Sequence, residues 1–315
     1  MAVISANNLS ALDARLRRMF LEAKGNVPII STNFTKVQTT TRRYENFNRW
    51  VGVGEASVVA EGANYPEKQI SQATATTVTV QKFGFKINVT RELIEDNLFE
   101  PIADDVAKAM KNSMVSTRER RTMNLLNNGF TTQVIDDGLS LFNTAHTLIQ
   151  GGTQSNRAAT AAALDLDTLW SGINTMQTSV SNSGLLDSIY QPKCIVGPQD
   201  LERRMNELIK SEWVPQVTEN TANVVAALYP IKAYASPYLT STTAWFLFAS
   251  PSDVVEYGII VLMREPLQII RDFEEMGNTE LGDSVSRDIF GWKCRERYET
   301  ATPKSFLGTY GNAGA

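Results

Sequence analysis

Residues 73–89, ATATTVTVQKFGFKINV, change the parity of their apolar positions midway. Phe83, Phe85, Ile87 and Val89 share one face of an extended strand, with Lys82, Lys86 and Asn88 on the other. Just upstream the apolar residues are Val78 and Val80, which fall on the opposite face. A strand survives such a shift only through a bulge or a change of surroundings. The preceding EASVVAEGANYPEKQIS offers a partner strand around Ser57–Ala60 and a long polar turn with Gly62, Pro66 and Lys68. The pattern predicts a β-hairpin whose base packs in the body and whose outer part leaves it. Two strands alone are marginal in water, so the outer part needs a surface to lie on. The rest of the chain supplies no obvious one.

The flanking segments are equally revealing. Leu9, Leu12, Leu16, Met19 and Phe20 recur at helical spacing, with Ser5 or Asn8 as cap and Lys24-Gly25 as stop. Arg15, Arg17 and Arg18 lie mostly off that stripe and read as solvated charges, a membrane or partner surface being the alternative. NVPIISTNFTKVQTTTRRYE has no sustained period and reads as an extended arm. After the hairpin, Pro101, Asp104 and Asp105 suit the start of a helix running to about Asn127, with Gly129 beyond it. Its apolar seam of Ile102, Val106, Met110 and Met114 is narrow, which describes a strut across a surface.

The second half alternates. Residues 128–163 are rich in Gly, Asn, Thr and Asp and read as a long ordered loop or short hairpins. Asp165 is an N-cap for a helix with Leu166, Leu169, Trp170, Ile173 and Met176 on one side. KCIVG is a buried strand, and PQDLERRMNELIKSEW a helix facing inward through Leu201, Met205, Leu208 and Ile209. YPIKAYASPYL, AWFLFAS, VVEYGII and LQIIRDF read as successive strands. The terminal VSRDIFGWKCRERYETATP returns to strand, with Ile289, Trp292, Cys294 and Tyr298 inward, pairing back to the hairpin and strut. The fold class is α+β.

No chemistry emerges from this layout. The one histidine, His146, stands in LFNTAHTLIQGGTQSN beside Thr144 and Thr147. Nucleophilic catalysis also needs an orienting acid and an oxyanion pocket, and no nucleophile elbow is present, so a loop histidine bonded to backbone is the favoured reading over a hydrolase. Asp136-Asp137 and Glu274-Glu275 lack further ligands at fixed spacing and read as solvated acids in turns. Gly52 and Gly54 have neither a following helix nor a Walker lysine. Arg118, Arg120 and Arg121, at a helix end, meet a neighbour's carboxylates or water in preference to phosphate. Cys194 and Cys294 stand alone, too few with one histidine for a zinc site. Apolar runs such as AWFLFA and GIIVLM are strand-sized, not membrane-spanning, and the N-terminus lacks a signal-peptide core. A net charge of −4 offers no global field for nucleic acid. The expectation is a non-enzyme without catalytic residues, metal or cofactor.

The order of parts resembles the major capsid protein of tailed bacteriophages, the Hong Kong 97 phage fold, and within it the Mu-type major head subunit group. Three passages carry the likeness. EGANYPEKQISQATATTVTVQKFGFKINVTRELIEDN is similar to the extended loop returning into the peripheral domain. LFNTAHTLIQGGTQSN is similar to a Mu-type passage, and YASPYLTSTTAWFLFASPSD to the axial-domain strand pair. The resemblance implies an N-terminal arm at 1–51, an extended loop (E-loop) at 52–80 and a peripheral domain at 81–186 and 266–315. That peripheral domain includes a spine helix at 100–128, and an axial domain follows at 187–265. It further implies hexamers and pentamers tiling an icosahedral head around double-stranded DNA, bound without sequence preference. Glu61, Tyr65, Glu67 and Lys68 become candidate loop contacts between subunits, and Arg118, Arg120 and Arg121 candidate spine-helix contacts. Further copies of the chain, a separate scaffolding protein, a portal and a decoration protein are the candidate partners, with no membrane. Localisation is the virion, after assembly in the host bacterial cytoplasm. No acceptor for a Lys68 crosslink is identifiable, so no covalent chain mail is expected. An encapsulin-like compartment shell is the same-fold alternative.

Overall fold

The computed structural model describes residues 6–22, 27–49, 55–68, 72, 75–96, 98–149, 151–181, 189–213, 222–254, 257–271 and 288–315. Ser5, Lys24-Gly25, Gly52, Gly54 and the Glu274-Glu275 pair lie outside them. The order of elements is α1 (Ala6–Glu22), β1 (Lys36–Thr39), β2 (Tyr44–Phe47), β3 (Thr76–Thr79), β4 (Gln81–Thr90), α2 (Arg91–Glu95) and α3 (Ala103–Asn127). Then come β5 (His146–Thr147), β6 (Thr153–Gln154), α4 (Leu166–Gln177), β7 (Pro192–Pro198), α5 (Glu202–Lys210) and α6 (Val224–Leu228). The chain continues with β8 (Lys232–Ser236), β9 (Trp245–Ala249), β10 (Ile260–Arg271), β11 (Ile289–Ala301) and β12 (Thr309–Asn312). It divides into two compact units, Met1–Ile29 with Val80–Arg120 and Met263–Glu299, and Ile30–Thr79 with Arg121–Leu262 and Thr300–Ala315.

In the first unit β11 runs antiparallel to β4, with Ile289 opposite Thr90 and Tyr298 opposite Gln81. Phe290, Trp292, Cys294, Glu296 and Tyr298 are buried in alternation. Ile289 has the other parity and is only half-buried, so it does not join the inward set expected of it. On β4 the expected face is in phase, but Phe85 stays exposed because β4 ends the sheet order β1-β10-β11-β4. The helical stripe Leu12, Leu16 and Phe20 packs with Ala103, Ala107, Met110 and Met114 of α3 and with Phe290, Trp292 and Cys294. The α3 seam is therefore rotated from the expected one, and Ile102 is exposed. Alanine outranks isoleucine here because small side chains let α1 approach closely.

This corrects the reading of Arg15 and Arg17 as solvated charges, while Arg18 is exposed as expected. Arg15 grips Asp104 through two hydrogen bonds, Nε to Oδ1 at 2.9 Å and Nη2 to Oδ2 at 3.0 Å. Those bonds hold the Asp104 carboxyl below its ordinary value. Arg17 pairs with Asp13 at 2.9 Å, and Asp13 accepts a hydrogen bond from Trp292 Nε1 at 3.1 Å.

In the second unit the sheet order is β12-β9-β7-β8, parallel between β7 and β8 and antiparallel elsewhere. β9 is buried at every residue, consistent with an uninterrupted apolar run covered on both faces. Asp165 caps α4 as expected, accepting from Leu166 N at 2.8 Å while Thr168 Oγ1 accepts from Asp165 N at 2.9 Å. Leu169, Ile173 and Met176 are buried, whereas Trp170 is exposed. On α5, Met205, Leu208 and Ile209 face inward.

Two further differences and one expected outcome stand out. Of VVEYGII, read as a strand, only Ile260 among the described residues is in one: it starts the twelve-residue β10, which passes through an exposed Pro266 and takes in Leu267–Arg271 of LQIIRDF. Residues 121–181 and 300–315, expected in a peripheral domain, pack with the second unit. The reason is burial: Phe142, Leu169, Ile173, Phe306, Leu307 and Tyr310 share one core with β7 and β9, and β12 pairs with β9 from Thr309 opposite Phe248 to Asn312 opposite Trp245. Finally, the parity shift has its explanation at Val80. β3 pairs with β2, while β4 enters a different sheet, so each side of Val80 buries a different face.

Cys194 and Cys294 are free and buried, one in each unit. Burial pushes the Cys194 thiol up to about 12 and also raises Cys294. We expect neither to react with a charged thiol reagent in the native state and both to react in denaturant. Peptide mapping of the labelled cysteine then reports which unit opens first. Rapid native labelling of Cys194 would contradict the packing of β7.

Candidate functional site

The projecting loop has a stem and an outer part. Its stem is β2 with β3, Tyr44 opposite Thr79 through Phe47 opposite Thr76, with Phe47 and Val78 buried. The partner strand is thus residues 44–47, not Ser57–Ala60, which form no strand. The polar TRRYENF concealed it, since only Phe47 of that strand is fully buried. Beyond the stem, residues 55–68 are exposed except for a half-buried Val59, Val58 completely so and Tyr65 at 84%. The tip closes by Ala63 N donating to Ala60 O at 3.0 Å. Gly62, third in that turn, has φ +77°, which favours glycine. Lys68 Nζ donates to Glu55 O at 2.6 Å and ties the two limbs.

Glu61, Tyr65, Glu67 and Lys68 accordingly all stand on the exposed loop. The three arginines of α3 diverge. Arg118 turns inward to Glu296, whose side chain is fully buried, at 2.5 Å. Burial raises the Glu296 carboxyl against the lowering influence of Arg118. Arg120 is exposed and Arg121 half-buried.

The other concentration of polar groups surrounds His146, which is completely buried. Its Nδ1 lies 2.7 Å from Asp137 Oδ2, and its Nε2 faces Asn156 Oδ1 at 3.1 Å and Leu141 O at 3.3 Å. Asn143 N donates to the same Asn156 oxygen at 2.9 Å, while Asn156 Nδ2 donates to Leu141 O at 2.8 Å. The Phe306 ring stacks on the imidazole at 4.2 Å between centres and 7° between planes. Thr144 and Thr147 are exposed and make no contact with the ring nitrogens. The imidazole therefore has an orienting acid but no hydroxyl to activate, which is a structural arrangement and not a nucleophile–base pair.

Asp136 and Asp137 are not solvated, contrary to the sequence expectation. The Asp136 side chain is 2% exposed and forms an ion pair with Arg49, 3% exposed, at 2.8 Å. Asp137 is equally enclosed. Burial raises its carboxyl, but the His146 hydrogen bond, the Leu139 N–H and the charges of His146 and Arg49 outweigh it, and the net shift is below the ordinary 3.8. Asp-Asp-Gly reads as a surface turn, and Gly138 does take φ +79°. Arg49, Asn156 and Phe306 lie too far away in sequence to reveal the enclosure. Among the described residues no His, Cys, Asp and Glu group could hold a metal ion, and no helix is long and apolar enough to cross a membrane.

The fold has known counterparts. Over 98% of this chain and 73% of the other, it superimposes on the bacteriophage JBD30 capsid with a TM-score of 0.50 at 14% identity. A structure from Mycobacterium phage Adephagia matches with a TM-score of 0.56 at 12% identity, covering 94% of this chain and 92% of that one. The virus-like particle from Pyrococcus furiosus matches with a TM-score of 0.52 at 9% identity, over 97% and 99%. At such identities the likeness establishes the shared fold alone. No curated protein matches the sequence significantly. Residues 73–311 match the family model described as Phage capsid protein, from just above β3 to within β12. That span is well over half of the chain, which therefore belongs to the phage capsid protein family.

Proposed function

We propose that this chain is the major capsid protein of a tailed bacteriophage, closest to the Mu-like head subunits, and that it self-assembles into hexamers and pentamers of an icosahedral head around double-stranded DNA. Family membership indicates a structural protein rather than an enzyme. The observation that carries the finer reading is the loop at residues 55–68, held at a paired stem and left in solvent with Val58 and Tyr65 uncovered. A neighbouring copy would cover it. Ring contacts of this kind are heterologous, one patch meeting a different one, and permanent interfaces bury upwards of about 2,000 Å².

In this reading residues 52–80 are the E-loop, with Glu61, Tyr65, Glu67 and Lys68 as contacts. Residues 100–128 are the spine helix, Arg118 fastening it to β11 while Arg120 and Arg121 serve outward contacts. Residues 1–29, 81–120 and 266–299 make the peripheral unit, and residues 187–265 remain the axial part. A separate scaffolding protein, a portal and a decoration protein are partners, and assembly takes place in the host bacterial cytoplasm.

The likeness to a virus-like particle supports a second reading, a compartment shell of encapsulin type. Electron microscopy of the purified chain tests both, with uniform closed particles expected. A monomer at high concentration, with residues 55–68 protected from proteases, overturns both. Particles from infected cells that contain a protein cargo and no packaged DNA favour the compartment over the phage head.

A further inference from the structure

We infer that the outward face of β4 and β11 is a cationic seat for the acidic loop of a second copy of this chain. The inference rests on the shell reading above and names the surface that the loop would meet. The register of the ladder carries it. Lys86 lies directly opposite Lys293 and Lys82 directly opposite Arg297, with Arg295 opposite Gly84 between them. Residues opposite one another share a face of the sheet. This face is turned away from α1 and α3, because Phe290, Trp292 and Cys294 pack against those helices from the other one. Like charges directly opposite destabilise a sheet. A fold that breaks a local rule in this way points to a functional face.

The acids on that face do not balance the five cations. Glu265 of β10 is shared between two of them, 2.7 Å from Arg295 Nη2 and 3.3 Å from Arg297 Nη1. Glu299 follows with the same parity on β11. Lys82 is exposed and forms no ion pair among the described residues. The relief is also low. Gly84 and Gly291 both lie on this face, and the Lys86 stem lies down over Gly291, where a Cβ would overlap its Cε. The cations therefore border a floor of backbone, and β4 ends the sheet order on one side. Such a shape suits an extended chain better than a compact ligand.

The loop has the matching character. Residues 55–68 hold Glu55, Glu61 and Glu67, all exposed, against Lys68 alone, whose ammonium is engaged with Glu55 O. Glu61 and Glu67 form no ion pair among the described residues. The uncovered Val58 and Tyr65 can lie on the aliphatic stems of the lysines. One subunit thus carries an acidic ribbon and a cationic sheet face, and two different complementary patches are what a head-to-tail contact requires. Double-stranded DNA fits less well, since the net charge of −4 opposes a polyanion over the molecule as a whole.

The test mixes ¹⁴N- and ¹⁵N-labelled chains, lets them assemble and joins carboxylates to amines with a zero-length carbodiimide. Mass spectrometry should find Glu61 or Glu67 linked to Lys82 or Lys86 in peptide pairs of mixed isotope content. Lys82→Glu with Lys86→Glu puts acids opposite Arg297 and Lys293, so the subunit should melt no lower than wild type. Closed particles should nevertheless fall by about tenfold or more, because the loop now meets like charge. Glu61→Lys with Glu67→Lys should do the same, and all four changes together should restore the yield to within about threefold. Should the paired sheet variant not fold, Lys82→Glu alone carries the test. A wild-type chain that builds no particles removes the shell reading and this inference with it. Wild-type particles without mixed links, full yield from the sheet variant, or no rescue by the fourfold exchange overturns this inference alone. Sheet-variant shells of normal yield that hold less DNA assign the face to nucleic acid and likewise overturn it.

Discussion

Replacing residues 57–67 by a short glycine–serine linker should abolish closed particles while leaving the subunit folded. The loop between those positions buries almost nothing of its own: its described contacts are the Ala60–Ala63 turn and the Lys68–Glu55 tie. Surface changes away from packed features shift stability by no more than about 0.5 kcal/mol, so circular dichroism and the melting temperature of the subunit should stay near wild type. What disappears is Val58, Tyr65, Glu61 and Glu67 as a surface for another copy. Sedimentation and negative-stain microscopy measure the outcome, with particle yield down by at least tenfold. Wild-type shells from this variant would remove the loop from assembly altogether.

His146→Ala should strongly destabilise the second unit. It strands Asp137 without its partner in a site closed to water, and breaking a buried pair in this way costs about 3–5 kcal/mol. Loss of the stacked Phe306 contact adds to this. The combined change His146→Phe with Asp137→Leu should cost less than His146→Ala alone, because no unpaired charge remains. Urea titration of unassembled subunits measures both. If His146→Ala is neutral, the burial of Asp137 has been misread. The pH dependence follows from the same pair. Asp137 has a depressed folded value, so its stabilisation is complete above the unfolded value of 3.8 and is lost as pH falls below it. Acid titration of Asp137→Asn should lack that component.

Local periodicity made much of the fold legible. The limits of α3, the Asp165 cap, the phase of β4 and the buried strands β7 and β9 are each written within a dozen or so neighbouring residues. The failures share a physical cause, which is pairing over long separations. β2 is polar in sequence and becomes a strand because β3 lies beside it. Ala103 and Ala107 look inert until α1 needs room against them. Pro266 promised a break that β10 does not make. Asp136 and Asp137 show how a turn motif fixes backbone conformation while saying nothing about what covers it. Of the site, the exposed loop residues were readable from composition, whereas the charge cluster needed Arg49, Asn156 and Phe306 from three remote segments.

The interleaving of the two units bears on the timing of biosynthesis. Each draws on three separated stretches, so the first cannot complete its β4–β11 ladder, nor the second its β12–β9 edge, until nearly every residue has been translated. A nascent chain halted before Ile289 holds neither body whole. Interrupted translation products should thus be cleared by proteolysis, and under the proposed assembly the threading of the polypeptide itself would keep partial subunits out of a growing lattice.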